Sequence, residues 1–302
     1  MGFRFFEKNK MMCMLSVTAC LLMLVRPEIT VSATKSAIRI WMNAVVPSLL
    51  PFMIIADYIK KSSIKGRRGG FLYPVLMAFF SGYPMGAKIA GESYRTGYLD
   101  EKDLYSLLCY AMITGPAFLI GGVGVTFYQS KTAGYVLALS HYAGALCCGR
   151  LLGKRGTIGE KPKVRQKNDN VSPSDTPFTD CILESFRTLG IVLAYIVLFM
   201  IAADFVQDTG VLRNLPEGMG AFCKGMMEMT VGCSEIAACG CSMIEKLMLS
   251  SFIISFGGLS VVGQTMSMLS GCPITLIQIL KIKIIHGLFS TIWTFTIWTF
   301  VV

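Results

Sequence analysis

The sequence predicts an all-α, polytopic helical membrane protein built from two inverted-topology repeats, each with a re-entrant hairpin and a broken helix. Three observations predict it. Apolar runs recur along the chain, and only 15% of residues are charged, well under the roughly 25% of a soluble domain. The basic residues collect in short runs between those apolar stretches. One apolar segment of the first half also recurs in the second at a fixed spacing.

A membrane-crossing helix needs about 20 mostly apolar residues. The chain's 53% hydrophobic content over 302 residues and mean hydropathy of +0.59 allow several. The first run, Met11 to Val25, follows a basic start at Arg4, Lys8 and Lys10. It is short, and Val31-Ser32-Ala33 has the small residues of a cleavage site. Signal peptide and uncleaved helix are both open; further spans follow at once, which favours the helix, and either way the N-terminus lies inside.

Ile38 to Ile59 is the next span and carries Pro47 and Pro51, which remove backbone donors and bend a helix. Gly70 to Ala90 contains Ser81-Gly82-Tyr83-Pro84-Met85-Gly86-Ala87-Lys88. Leu104 to Phe127 is interrupted at Thr114-Gly115-Pro116, and Ala133 to Gly149 follows. A polar linker rich in Lys, Ser, Pro and Asp then divides the chain, a composition that reads as a loop. Ile182 to Val206, Ala221 to Met243, Leu247 to Leu269 and Ile274 to Val302 complete the apolar stretches. The organisation is an N-terminal helix at 1–34, a first repeat at 35–149, a basic cytoplasmic linker at 150–176 and a second repeat at 177–302.

Charge sets the topology. Lys60, Lys61, Lys65, Arg67 and Arg68 form one basic run; Arg150, Lys154, Arg155, Lys161, Lys163, Arg165 and Lys167 form the other. Both belong in the cytoplasm by the positive-inside rule. Three apolar stretches separate them, so one must enter and leave by the same face. Gly82, Pro84 and Gly86 suit a tight reversal, which makes residues 70–90 the re-entrant hairpin. Irregular backbone at membrane depth survives only where protein or a watery cavity covers it.

The repeat is gapless over eight residues. Phe52-Met53-Ile54-Ile55-Ala56-Asp57-Tyr58-Ile59 matches Phe199-Met200-Ile201-Ala202-Ala203-Asp204-Phe205-Val206, 147 residues later. Shared apolar composition yields such matches by chance, but here an aspartate ends each helix. The breaks correspond too, Gly115-Pro116 in one half and Gly257-Gly258 in the other. One hairpin and three crossings per half would invert the second half, an architecture of secondary transporters whose sites lie at the repeat interface near the midplane.

Candidate solute-binding or gating residues follow from that architecture. Ser81, Gly82, Tyr83, Pro84 and Gly86 form the first tip, where Ser81 and Tyr83 either line a pocket or satisfy broken backbone. Lys88 either meets a carboxylate in the bundle or snorkels to the interface. Glu228, Thr230 and Glu235 lie in the second hairpin; buried carboxylates there would hold a cation, a proton or a base. Thr114, Gly115, Pro116, Gly257, Gly258 and Gln264 mark the broken helices, where Thr114 and Gln264 offer hydrogen bonds to a solute or between helices. Asp57 and Asp204 are expected as solvated interfacial carboxylates. His141 and His286 are expected in packing or interfacial roles, and Trp293, Trp298 and Phe300 as an aromatic belt.

Several classes are set aside. The net charge of +10 sits in loops without any nucleic-acid-binding module, so no nucleic-acid partner is expected. The eleven cysteines lack zinc-site spacing, Cys239 and Cys241 being the nearest approach. No metal and no cofactor is expected. No G-x-S-x-G elbow, H-E-x-x-H helix or P-loop is present, and the expectation is a protein that is not an enzyme. The expected partners are the lipid bilayer, a small polar solute or ion, and an anionic lipid or protein at the basic loop.

The segment Ser81 to Lys88 resembles the YlbJ-type sporulation integral membrane proteins, within the broader nucleoside-recognition or gate domain families. Val46-Pro47-Ser48-Leu49-Leu50-Pro51-Phe52, the glycine-rich run Gly115 to Gly124, and Glu228-Met229-Thr230 carry the rest of the resemblance, which extends over roughly residues 35 to 300. It implies the cytoplasmic membrane of an endospore-forming bacterium, a role in spore development, and paired re-entrant hairpins. It leaves two functions open: a transporter-like protein for a small polar solute, or a structural membrane protein of the spore envelope. The family often carries asparagine before the Gly-Pro break; here Met112-Ile113-Thr114 stand there.

Overall fold

The computed structural model describes residues 2–62, 72–153, 177–216 and 218–301. They are helical, with no strand among the described residues. Most of both basic runs lies outside them.

Helix α1 (Gly2–Val25) precedes α2 (Pro27–Ile40), which continues through a π-helical turn (Trp41–Val45) into α3 (Val46–Ser62). The sequence places this span at Ile38; the helix starts eleven residues earlier, and Val31-Ser32-Ala33 lies inside α2 with Ala33 fully buried. The π turn sits where the prolines demand slack. Val46 N–H reaches back to the Trp41 carbonyl, and the Ser48 hydroxyl donates to the carbonyls of Ala44 and Val45.

The first hairpin is α4 (Leu72–Ser81) and α5 (Met85–Arg95), packed on each other. Helix α6 (Glu101–Ala111) starts at an Asp100 cap whose side chain accepts from Asp103 N. It stops at the predicted interruption and resumes as a π-helical segment (Phe118–Phe127). Helix α7 (Lys131–Leu152) closes the first half.

The second half repeats the order. Helix α8 (Pro177–Asp208) is followed by the paired α9 (Met219–Met227) and α10 (Met229–Ala238). A capping box at Ser242 and Glu245 opens α11 (Met243–Phe256), which breaks at glycine before α12 (Gly258–Met268). Helix α13 (Leu276–Val301) ends the chain. The long helices α2–α3 and α8 lie side by side, with Trp41 Nε1 donating to the Leu189 carbonyl at 3.2 Å; α7, α11 and α13 form the other wall.

Five helices among the described residues are long and apolar enough to cross a membrane: Pro27–Ile59, Lys131–Leu152, Phe178–Asp208, Met243–Met268 and Leu276–Phe300. Their outward faces stay apolar, with Leu183 and Ile277 63% and 77% exposed. A soluble monomer does not present so much contiguous apolar surface to water; lipid removes that cost.

The contacts between loops sort into two ends. At one end Arg26 pairs with Asp208 at 2.8 Å, and Tyr128 donates to the Lys246 carbonyl at 3.0 Å. At the other, Arg95 donates to the carbonyls of Met268 and Ser270 at 3.2 and 3.0 Å. Helix α8 gives the scale, because Glu184 and Asp204 are 20 residues apart on it, about 30 Å of helix and about one hydrocarbon thickness.

Small residues let backbones touch. A Cβ placed on Gly232 would lie 2.1 Å from the Gly225 Cα, so α9 and α10 meet without side chains between them. By contrast a Cβ at Gly121 or Gly190 meets nothing within 4 Å. Gly232→Val therefore separates the hairpin arms and costs about 1–3 kcal/mol or more, read as a lowered melting temperature in detergent. Gly190→Ala leaves that temperature unchanged or slightly raised.

Candidate functional site

Each half brings its hairpin tip onto its own broken helix. In the first, α4 ends at Ser81, Gly82 takes φ +68°, and a cis Tyr83–Pro84 bond leads into α5. Residues 112–115 are not helical, and a Cβ on Gly82 would lie 2.7 Å from the Gly115 nitrogen. In the second, Glu228 is extended between α9 and α10, and Gly257 and Gly258 take φ +87° and +68°. A Cβ on Gly258 would lie 3.0 Å from the Gly225 carbonyl oxygen and from the Met229 nitrogen. Both junctions thus require glycine for the same reason: tip and break are in backbone contact.

Between the two junctions lies a central cavity of about 40 Å³, room for about three water molecules. Its polar lining is Tyr83, Thr114, Glu228, Thr230 and Gln264. Its apolar walls include Val45 and Leu49 from one long helix region and Val192 and Ile196 from the other. These wall residues are two pairs 147 residues apart, as are Tyr83 and Thr230. Positions 147 residues apart, the spacing expected of a repeat, thus face one cavity.

Glu228 is 2% exposed. Its carboxylate caps α10, accepting from Val231 N at 2.8 Å, and also accepts from the Ser260 hydroxyl at 3.5 Å. Gln264 is equally buried. The Thr114 hydroxyl is buried without a hydrogen-bond partner among the described residues, beside the cavity it lines.

Behind the cavity, side chains satisfy the unwound segment. The Met112 carbonyl accepts from the Tyr83 hydroxyl at 2.7 Å and from Lys283 Nζ at 3.3 Å. Lys283 also donates to the Tyr83 hydroxyl, and its Nζ lies 3.7 Å from the centre of that ring. Thr114 N–H donates to His141 Nε2 at 2.9 Å, and the Thr114 carbonyl accepts from the Tyr142 hydroxyl at 3.0 Å. With Nε2 accepting, His141 carries its proton on Nδ1 and donates it to Ser255 Oγ at 2.8 Å; Ser255 passes a bond on to Ser290. His286 Nε2 donates to the His141 carbonyl at 2.9 Å, and the two rings stand 4.5 Å apart. These bonds serve the Met112 carbonyl and both main-chain groups of Thr114, as the absence of water in lipid requires.

Not every expected site residue reaches the cavity. Tyr83, Thr114, Glu228, Thr230 and Gln264 line it; Gly82, Gly115, Gly257 and Gly258 make the junctions behind it. Ser81 and Pro84 flank the first tip, Pro116 opens the segment after the first break, and Gly86 packs α5 on the Ala111 carbonyl. Lys88 lies elsewhere, paired with Glu184 in a cleft that Asp57, Glu92, Asp180 and Arg187 also line. Glu235 lies elsewhere too, paired with Lys224 at 2.7 Å; Lys224 also meets Asp204 at 3.4 Å.

One expectation is corrected. Asp57 is not a solvated carboxylate but only 5% exposed, because α5 and α8 close over it with Lys88 and Arg187 in the same cleft. Of the two roles expected for the histidines, packing is the one seen: both are buried and joined. Lys283, the largest fully buried side chain, went unrecognised in the sequence. Its signal was a lysine inside the apolar run 274–302, three residues before His286 and so on one helical face with it.

The chain is similar to the sporulation integral membrane protein YlbJ of Bacillus subtilis (strain 168). The two are 24% identical over 319 residues, covering 90% of this chain and 78% of that protein. No protein-family model and no solved structure matches the chain. The YlbJ-type resemblance thus holds over nearly the whole chain, while nucleoside recognition gains nothing from it. Together with the apolar helices, it makes the chain a multi-pass integral membrane protein.

Removing the imidazole tests the clamp on the unwound segment. His141→Leu leaves the Thr114 N–H buried and unpaired, and destabilises by about 1–3 kcal/mol, measured by denaturant titration in detergent micelles. His141→Gln, which keeps an acceptor, recovers part of that loss.

Proposed function

We propose that this YlbJ-type membrane protein acts in sporulation as a transporter-like protein, binding or moving a small polar solute between two inverted halves. The observation that carries this reading is the make-up of the central cavity. Both hairpin tips, both broken helices and equivalent positions of both long helices contribute to it. A membrane protein with only a scaffolding role has no need to hold a carboxyl, three hydroxyls and an amide around an internal space, since buried polar groups are costly in lipid.

The arrangement of the two ends supports inversion of the halves. Lys88 on the first hairpin meets Glu184 near the start of α8, whereas Glu235 on the second joins Lys224 and Asp204 near its end. Lys88 and Glu235 are themselves 147 residues apart. Hairpins docked about 30 Å apart along one helix enter a bilayer from opposite faces. We place the N-terminus and the end bearing Arg95 and Ser270 in the cytoplasm, the side to which the basic runs belong. The name of the Bacillus subtilis relative motivates the sporulation role. No catalytic role is proposed.

Cysteines introduced at Thr96 and Ser270 are expected to react with a membrane-impermeant reagent only from the cytoplasmic side. Cysteines at Gln129 and Thr209 are expected to react only from outside. Labelling of Thr96 and Gln129 positions from the same side would end the inverted reading.

Purified protein in liposomes is expected to take up or release a solute from a broad polar panel, and Glu228→Gln to reduce that flux at least about 10-fold, a loss of about 1.4 kcal/mol or more. The rival reading, assembly of the spore envelope through the basic loop, expects charge reversal at 154–167 to abolish sporulation while Glu228→Gln and Lys88→Ala spare it. A sporulation-defective Glu228→Gln strain with normal protein levels favours transport.

A further inference from the structure

We infer that the central cavity is a site for a small protonated amine, with Glu228 as the counter-charge. The inference rests on the cavity being the solute site and names the class of solute it takes.

The lining selects by charge first. Glu228 is the one ionisable carboxylate on the wall, and no lysine, arginine or histidine shares that wall. Lys283 is near in the fold but is not on the wall, its ammonium being committed to Tyr83 and the Met112 carbonyl. A single buried carboxylate is balanced by one positive charge. An anion would meet Glu228 with nothing to offset it. A neutral polyol fits only with Glu228 protonated, whereas a protonated amine pairs with the carboxylate itself.

Donor count and wall chemistry then separate an amine from a metal ion. The side-chain oxygens on the wall are those of Glu228, Thr114, Thr230 and Gln264, with the Tyr83 hydroxyl engaged by Met112 and Lys283; the rest of the wall is aliphatic, thioether or aromatic, with Phe118 among it. Hard divalent cations are held through carboxylates in number or keep their water, and this wall carries one carboxylate. An ammonium group asks for three or four acceptors and tolerates an aromatic face and apolar neighbours around its carbon end.

An independent observation points the same way. The Thr114 hydroxyl is 3% exposed by residue, makes no hydrogen bond of full geometry among the described residues though Tyr83 is its neighbour, and stands on the cavity wall. A buried hydroxyl without a partner is costly, and an N–H donor in the cavity would satisfy it. Size agrees as well. About 40 Å³ holds about three water-sized bodies, enough for ammonium or methylammonium and far too little for a nucleoside in this conformation.

The test is equilibrium binding of radiolabelled methylammonium to the full chain in lipid nanodiscs. Saturable binding is expected, undisturbed by equimolar sodium. Glu228→Gln, which keeps an acceptor for the Val231 N–H, is expected to weaken it at least about 10-fold, and Thr114→Val about 3- to 10-fold. Glu235→Gln, outside the cavity, is expected to leave it unchanged. Absence of saturable binding in folded wild-type protein would overturn the assignment, as would undiminished binding in both Glu228→Gln and Thr114→Val. Displacement by equimolar sodium would replace the amine with an alkali ion and overturn it too. Amine binding without flux of any solute would sink the transport reading alone, and flux of a neutral solute by a chain that binds no amine would sink this inference alone.

Discussion

Every backbone amide and carbonyl at membrane depth needs a partner from the protein, and the rest of this structure is arranged around that requirement. Two helices are broken and two hairpins end inside the bundle, so four sets of main-chain groups lose their helical partners. The first break is served by side chains: Tyr83 and Lys283 at Met112, His141 and Tyr142 at Thr114. The second lies in close glycine contact with the hairpin tip beside it, where Glu228 caps α10. Tyr83 and Glu228 make such repairs from the cavity wall, while Lys283, His141 and Tyr142 make theirs from outside it.

The architecture was legible in the sequence because its signals are local. Length and apolarity mark spans, and the Thr114-Gly115-Pro116 and Gly257-Gly258 interruptions mark breaks wherever they occur. Proline and glycine at 82–86 mark the first reversal. The boundaries were less legible: α2 begins at Pro27, since polar residues such as Thr34 and Lys35 hide a helix that tertiary packing against α8 sustains. Of the candidate site, the residues at breaks and tips were found because they interrupt a pattern. The residues that serve them were not. Lys283 and His141 act from distant helices, and no spacing within a helix announces which carbonyl or amide a side chain will meet.

The same limit explains Lys88 and Glu235. Each is a charge in an apolar hairpin, and each reads as intramembrane until the fold supplies a partner near an end of α8. Charge at a helix end and charge at the midplane look alike in sequence when the hairpin's depth is unknown. Depth is set by where the arms dock on α8, through Lys88–Glu184 and Lys224–Asp204, pairings 96 and 20 residues apart in the chain.

Lys283 ties the last helix to both the first hairpin tip and the first break. Its ammonium holds a tip residue 200 positions earlier and a carbonyl 171 positions earlier, while its own helix packs against α7 and α11. The last helix is therefore an axle for the first half as well as a wall of the second: any slide or rotation of α13 must either drag the opening hairpin with it or break both of these hydrogen bonds at once. A chain so fastened cannot let one half change shape in private.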